Sequence, residues 1–329
     1  MSDRKKRISA GLISGIFFSV LIHFATKAGS GSLGLVLDRY ELQSFDSRMQ
    51  ARVRNVEEAS IDSIVIIDIE QNSVENLGNY HEWPHAYHGQ LIDVVTAGDP
   101  KAIIFDIIFD KKDDGRYKLV ESLSSGQSNL TPELKSAAER FLVSHDPNRF
   151  VWSTSKSPVL HHALVFEPED TLNFLYAMDH LPPGYDASNH TIKVSEDVSK
   201  RLPEADRLGN TYVELLAGSK GAGAANFPQD QDGIIRKAPT AIHFKGSGLT
   251  FLSLTLSAVK NILGIPSDGF TYDFERGLLE LRDTTGTMVR EIPIDEMGRM
   301  YVNYYGPFKT FYYIPYMYCF DPEMLDPSY

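Results

Sequence analysis

The chain has 329 residues, of which 42% are hydrophobic, and this excludes a disordered protein while allowing one large or two modest domains. The formal net charge is −12, and no run rich in Lys and Arg follows residue 7, which argues against nucleic acid as a partner. The single cysteine, Cys319, excludes an internal disulfide and a cysteine-based zinc cluster.

The first predicted element is an uncharged, largely apolar stretch of nineteen residues, 8–26, directly after four basic residues at 4–7. A helix of that length reaches about 28 Å, close to the roughly 30 Å hydrocarbon core of a bilayer. The pattern predicts a cytoplasmic tail at 1–7, a transmembrane helix at 8–28 and a periplasmic remainder. A cleaved signal peptide ending near Ala28 is the alternative, and both export most of the chain.

A βαβ unit is predicted after a membrane-proximal helix at 33–60. The β-branched run at 64–67 is typical of a strand buried on both faces. Apolar residues at helical spacing in 87–96 predict a crossover helix, and the apolar run at 102–105 predicts a second buried strand. The same reasoning makes 61–329 an α/β domain.

The second half of the chain alternates between strands and helices. We expect a third strand at 159–166, a surface excursion at 168–220, an amphipathic helix at 249–263 and antiparallel hairpins over 270–302. The predicted fold class is therefore α/β, with a mixed sheet, a βαβ start and antiparallel hairpins, preceded by one N-terminal transmembrane helix.

Four carboxylates follow the first two predicted strands. Asp68 and Glu70 come after the first, and Asp106 and Asp110 come after the second. Ligands of α/β sheets bind outside such strand ends, so these groups could hold a divalent cation or act as an acid/base pair. The alternative is structural: they cap helices or pair with a buried arginine such as Arg236.

The histidines favour no metal site. Pro84 interrupts any helix that would align His81, His85 and His88, so we expect solvent-exposed loop histidines there. His161 and His162 lie next to each other on a predicted strand and point to opposite faces, so they cannot chelate one ion together.

Four sequence blocks together resemble the type-2 CHASE sensor domain, the extracytoplasmic input module of bacterial adenylate/guanylate cyclases and sensor kinases. They are IVIIDIEQNSVENLG at 64–78 with Trp83 and Pro84 beyond it, KAIIFDIIF at 101–109, GAANFPQDQDGIIRKAP at 223–239 and DEMGRMYVNYYGP at 295–307. The third block places Asn226, Asp232 and Arg236 at positions that match the family pattern. Two features depart from it: His85 and Ala86 follow Pro84 where the family has an aromatic residue and an arginine, and the closing strand is missing.

The resemblance implies a membrane-anchored periplasmic sensor domain at 61–329 of the bacterial inner membrane, C-terminally incomplete, whose cyclase or kinase effector is not in this chain. It implies no catalysis, no cofactor and no metal, and as partners an extracytoplasmic signal or protein, the membrane and a second copy in a homodimer. A secreted periplasmic cation-dependent hydrolase or binding protein is the alternative, and an interaction protein without a ligand is a third possibility. The candidate ligand-binding residues are Asp68, Glu70, Trp83, Asp106, Asp110, Asn226, Asp232 and Arg236.

Overall fold

The computed structural model describes residues 3–27, 32–57, 61–126, 130–168, 177–230 and 232–320, which form a mixed α/β protein with several separate sheets. Its helices are α1 Asp3–Lys27, α2 Ser32–Val53, α3 Gln71–Leu77, α4 His85–Ala97, α5 Gly115–Gly126, α6 Pro132–Ser144, α7 Asn148–Lys156, α8 Glu196–Ser199, α9 Val213–Gly218 and α10 Leu254–Ile262. Its strands are β1 Ile61–Asp68, β2 Ile103–Phe105, β3 Leu160–Glu167, β4 Thr191–Ile192, β5 Glu204–Ala205, β6 Arg207–Asn210, β7 Gly221–Ala224, β8 Lys237–Pro239, β9 Ala241–Phe244, β10 Leu249–Leu252, β11 Phe270–Asp273, β12 Leu278–Arg282, β13 Met288–Pro293, β14 Arg299–Tyr301 and β15 Phe311–Pro315.

The chain divides into two compact units, the first of which comprises Met1–Ile66 and Asn303–Tyr313. It contains α1, α2 and most of β1, which pairs with β15 in a two-stranded sheet. Ile64 is 52% exposed and Val65 is 47% exposed. The prediction that this strand is buried on both faces is therefore wrong, because β1 does not lie inside a larger sheet among the described residues.

The predicted transmembrane helix is also wrong. A helix does form at Asp3–Lys27, but among the described residues none is both long and apolar enough to span a bilayer.

The second unit comprises Ile67–Val302 and Ile314–Tyr329, and its centre is a four-stranded sheet around β3. β2 and β7 run parallel to β3, and β6 runs antiparallel to it. The connection from β2 to β3 passes through α5, α6 and α7, so this is the parallel pair with a helical crossover. The predicted βαβ start was misplaced by one strand, because β1 pairs with β15 and not with β2.

Three further sheets of described residues complete the second unit. β4, β10, β9 and β5 form one of them, and β14 pairs with β8 in another. β11, β12 and β13 form an antiparallel meander, as predicted for 270–302.

Two predictions for this half of the chain are wrong. The expected helix at 249–263 is in fact strand β10 followed by α10. That helix begins after Ser253, because the Ser253 side chain caps it by accepting a hydrogen bond from the Leu256 N–H. The region 168–220 is not a surface excursion, since Leu208, Leu215 and Leu216 are fully buried.

The hydrophobic core lies on both faces of the central sheet. Alternate residues of β3 point to opposite sides. On one side, α4 and α7 bring Ile92 and Phe150 against Leu160. On the other side, α10 packs against β3 and β7, and Gly223 permits the approach because a Cβ there would lie 2.7 Å from the Leu254 Cα. The sheet thus separates two buried environments.

Candidate functional site

Glu70 is the N-cap of α3. Its Oε1 accepts hydrogen bonds from the Ser73 N–H at 2.8 Å and from the Ser73 hydroxyl at 2.6 Å, and its Oε2 accepts one from the Asn72 N–H. Burial opposes the charged form, but the hydrogen bonds from Ser73 and Asn72 outweigh it, so the pKa of Glu70 lies below its usual value. This carboxylate therefore holds the start of a helix.

The four carboxylates do not form a metal site among the described residues. Asp68 ends β1, whereas Asp106 and Asp110 are exposed beyond β2, and these two strands belong to different sheets. No group of three or more His, Cys, Asp or Glu that could hold a metal ion occurs in the described part of the chain. The cation-dependent hydrolase depended on such a group, and no observation favours it.

Arg236 organises the loop before β8. Its side chain is buried, and its guanidinium donates to Asp230 at 2.9 Å and to both oxygens of Asp232 at 2.9 and 2.7 Å. The hydrogen bonds from Arg236 lower the pKa of Asp232 to about 2. A two-pronged pairing of this kind fixes both position and orientation, so the loop is closed around the arginine.

Asn226 and Trp83 also contact the protein itself. The Asn226 Oδ1 accepts from the Phe166 N–H at 2.9 Å and its Nδ2 donates to the Phe166 carbonyl at 2.7 Å, so the side chain continues the strand pairing of β7 with β3. Trp83 is buried and donates its indole N–H to the Gly78 carbonyl at 2.7 Å. The contacts found for the predicted residues stabilise the fold, and ligand binding by them stays a prediction.

Sequence reasoning missed a cluster of buried histidines on one side of the central sheet. We call His85, His88 and His162 the histidine cluster. His88 is 2% exposed and His162 is 0% exposed, while His85 is half-buried. The rings of Phe109 and Phe150 contact all three histidine rings, with centroids 4.9–6.3 Å apart.

The prediction of exposed loop histidines is wrong for His85 and His88. Pro84 does not interrupt the helix; it precedes α4 as its N-cap residue. His85 and His88 therefore lie one turn apart on α4 and face the same core. His81, in the short 3₁₀ turn Tyr80–Glu82, is exposed. The sequence signal that was missed is Pro84 itself, because the fixed φ angle of proline favours the start of a helix.

Several polar atoms in or next to the histidine cluster have no hydrogen-bond partner among the described residues. The Nδ1 of His85, both ring nitrogens of His162 and the hydroxyl of Tyr212 have no hydrogen bond among the described residues. His88 is different, since its Nδ1 lies 2.8 Å from the Tyr316 hydroxyl. Burial, with the neighbouring histidines adding to it, lowers the pKa of His88 and of His162 to about 3. His88 and His162 are thus kept neutral at ordinary pH.

Tyr316 belongs to the second 3₁₀ turn, Tyr316–Cys319, which we call the 316–319 turn. The Met317 N–H donates to the Ser73 hydroxyl at 3.0 Å, and Ser73 in turn donates to Glu70. Asn72 Nδ2 of α3 also donates to the Met317 Sδ at 3.3 Å, so the turn has polar contacts to both α3 and α4. The rings of Tyr316 and Trp83 are also in contact, with centroids 4.8 Å apart and an angle of 36° between their planes.

The opposite side of the sheet has its own buried histidines. His161 Nδ1 lies 3.3 Å from the Ser257 hydroxyl, and His190 Nδ1 lies 2.7 Å from the Tyr185 hydroxyl. Burial is the largest cause that lowers the pKa of both histidines to about 4. Gly221 makes room for His161, because a Cβ there would lie 2.4 Å from its Nδ1.

Comparison with known proteins identifies a family. A family model described as the CHASE2 domain matches residues 17–327. No curated protein and no solved structure matches the chain.

Proposed function

Since this chain belongs to the CHASE2 domain family, whose members are extracytoplasmic sensor domains, we propose that it is the input module of a bacterial cyclase or kinase. The match over residues 17–327 is the observation that carries this proposal. The domain would receive a signal outside the cytoplasm and alter the activity of an effector. We propose that it contributes no catalytic group and needs no cofactor.

A sensor needs two arrangements between which a signal can choose, and the signal must favour one of them energetically. The 316–319 turn is the element best suited to differ between the two arrangements. It is joined to α3 and α4 by the polar contacts of Met317 and Tyr316, and it belongs to none of the strands of the central sheet. Its movement would be the output of the domain.

We also propose that the domain works as a homodimer at the cell envelope, in contact with an extracytoplasmic signal or protein. Two-fold dimers are the commonest protein assemblies, and a rearrangement of two copies is a direct way to report on a signal. Light scattering of the purified chain would measure its mass in solution. A mass of one copy at every concentration would contradict the dimer.

The input function can be tested by placing the chain ahead of an adenylate cyclase catalytic domain in a host that lacks its own cyclase. We expect cyclic AMP to change with at least one external condition among pH, osmolarity and added solutes. The matched control carries the catalytic domain alone. An output that stays constant under every condition, at the level of this control, would show that the chain is not an input module.

A further inference from the structure

The histidine cluster is built to remain uncharged. His88 and His162 are almost completely buried, and the rings of Phe105, Phe109 and Phe150 contact both of them. Both nitrogens of His162 lack a partner among the described residues, so nothing there would receive the N–H of a charged ring. Placing a charge in such an environment is costly.

His85 connects this cluster to solvent. It is half-buried at the first position of α4, and Asp110 and Asp113 lie close enough to favour its charged form. Burial is nevertheless the largest influence, and it lowers the pKa of His85 below its usual value. Of the three rings, His85 is therefore the one that an incoming proton meets first.

Several of the elements around His88 contribute a titratable group. His85 is on α4, Tyr80 precedes α4, His162 is on β3, and Tyr316 and Cys319 are on the 316–319 turn. α7 contributes the uncharged ring of Phe150. The carboxylates of Asp110 and Asp113 follow β2 and act through His85. No carboxylate contacts His88 directly among the described residues.

We propose that the signal read by this domain is acidification, and that protonation of the histidine cluster releases the 316–319 turn from α4. This inference rests on the proposed sensor function and names its ligand, the proton. His88 takes up a proton from solvent on the ring nitrogen that lacks one, so both nitrogens become donors. The Tyr316 hydroxyl can then only accept from Nδ1, and the charged ring remains among aromatic side chains.

A charge on His85 makes a second charge on His88 more costly while the cluster is closed, since the two rings are 6.2 Å apart. Opening removes that cost because water then reaches both rings. Proton uptake and release of the turn are therefore coupled, and acid favours the open arrangement. The contact between Met317 and Ser73 would break in the same step.

Trp83 provides an optical probe of this step, because its ring contacts that of Tyr316. The chain has two tryptophans, and the other, Trp152, is 56% exposed, so the measurement uses the full chain with Trp152→Phe. We expect a reversible change of Trp83 emission as the pH falls from 7.5 to 3.5. Emission that does not change over this range would overturn the proposal.

The variant His88→Gln keeps a side chain that can pair with Tyr316 but cannot take up a proton. We expect it to move the transition to lower pH by about one unit, because one proton fewer drives the opening. The matched control is His81→Gln, which makes the same change at an exposed ring four residues before α4 begins. A transition that is the same in His88→Gln and in His81→Gln would also overturn the proposal.

Hydrogen exchange of the unmodified chain tests the release without any variant. After correction for the intrinsic pH dependence, the amides of 314–320 should exchange faster at pH 4.5 than at pH 7.5, while those of β3 should not. Equal protection of both segments would contradict the release.

The proton proposal and the sensor function can fail separately. If the cyclase fusion responds to another stimulus and Trp83 emission is unchanged by acid, the proton is excluded as the signal and the sensor function stands. A fusion with constant output would instead exclude the sensor function itself.

Discussion

Asn226 shows how a single side chain can substitute for backbone. Its amide both accepts from and donates to Phe166, as a neighbouring strand residue would. The sequence placed Asn226 among the candidate ligand-binding residues because it matches a family position. A family pattern cannot separate a residue that binds a ligand from one that completes a sheet, since both require the same side chain at the same position.

The substitution Asn226→Asp tests this role, because it removes only the donor. The new carboxylate oxygen would face the Phe166 carbonyl at the present 2.7 Å contact, and we expect a loss of about 1 to 3 kcal/mol in the free energy of unfolding at pH 7. Urea denaturation measures it. Asn79→Asp is the control, since Asn79 uses its oxygen to accept from the His81 N–H and a carboxylate can do the same. Equal effects of the two substitutions would contradict the assigned pairing.

Arg236 is predicted to matter for stability through the loop that it closes. Arg236→Met keeps much of the buried volume but removes the pairing with Asp230 and Asp232. These carboxylates remain partly hydrated, so we expect the free energy of unfolding to fall by about 2 to 3 kcal/mol. This is at or below the low end of the cost of breaking a fully buried ion pair. Thermal unfolding compared with that of Arg290→Met, a change at an exposed arginine, provides the measurement. Identical melting temperatures of the two variants would be inconsistent with this role.

At the scale of elements, the contact between β7 and α10 depends on the absence of side chains. Gly223→Ala would place its Cβ 2.7 Å from the Leu254 Cα and 2.9 Å from the Leu252 carbonyl oxygen, and backbone atoms cannot rotate away. We expect the free energy of unfolding to fall by about 3 kcal/mol or more, which is the upper end of the cost of inserting atoms into a packed core. Gly115→Ala, where a Cβ meets nothing within 4 Å, should be neutral in the same urea titration. A small effect at Gly223 would mean that α10 packs less closely than described.

An element could be predicted where neighbouring residues alone determine its structure, and not where a distant part of the chain does. The hairpins at 270–302 could be predicted because turns with glycine at positive φ, such as Gly286 and Gly298, are local features. The burial of β1 could not, because a β-branched run fits a strand in any sheet and the partner strand β15 is far away in the sequence. The helix expected at 249–263 failed at Ser253, whose capping role marks a start rather than an interior.

The candidate site was predicted even less well. Its carboxylates were chosen on the assumption that β1 and β2 are neighbours, and this assumption depends on topology. The histidine cluster unites residues from α4 and β3 that are more than seventy positions apart, so no local pattern reveals it. What the sequence did supply was the opposite orientation of His161 and His162, which follows from the alternation of a strand alone.

For the whole molecule, the pKa values predict two ranges of acid sensitivity. Burial holds the pKa of His88 and His162 at about 3 and that of His161 and His190 at about 4, below the roughly 6.5 of unfolded chains. The unfolded state therefore binds more protons below pH 6.5, so stability is complete above that pH and is lost as the pH falls toward 3 to 4.

A second range follows from the carboxylates. The pKa of Asp295 is about 2, because backbone N–H groups together with Lys237 and Arg299 outweigh its burial, and Asp232 behaves alike. Their contribution disappears only as the pH falls from about 4 to 2. We therefore expect urea midpoints to decline already between pH 6.5 and 4.5. Midpoints that are constant over that interval would show that the histidines are not buried as described.

The variant His162→Leu should reduce this decline. It removes two nitrogens that have no partner among the described residues and one group that binds a proton only after unfolding. For each pH unit below 6.5, the free energy of unfolding of the variant should therefore fall by up to about 1.4 kcal/mol less than that of the original chain. Stability measured at pH 7 and pH 5 gives the difference directly. An equal decline in both proteins would exclude His162 as a source of acid sensitivity.

The alternation along β3 has a consequence for inherited changes of length. Loss of one codon within this strand would move every later side chain of the strand to the opposite face of the sheet. A loss before His161 would therefore exchange the surroundings of His161 and His162. Insertions and deletions are then tolerable only in connections outside it, so related genes should vary in length between their strands while keeping this segment at a constant number of residues.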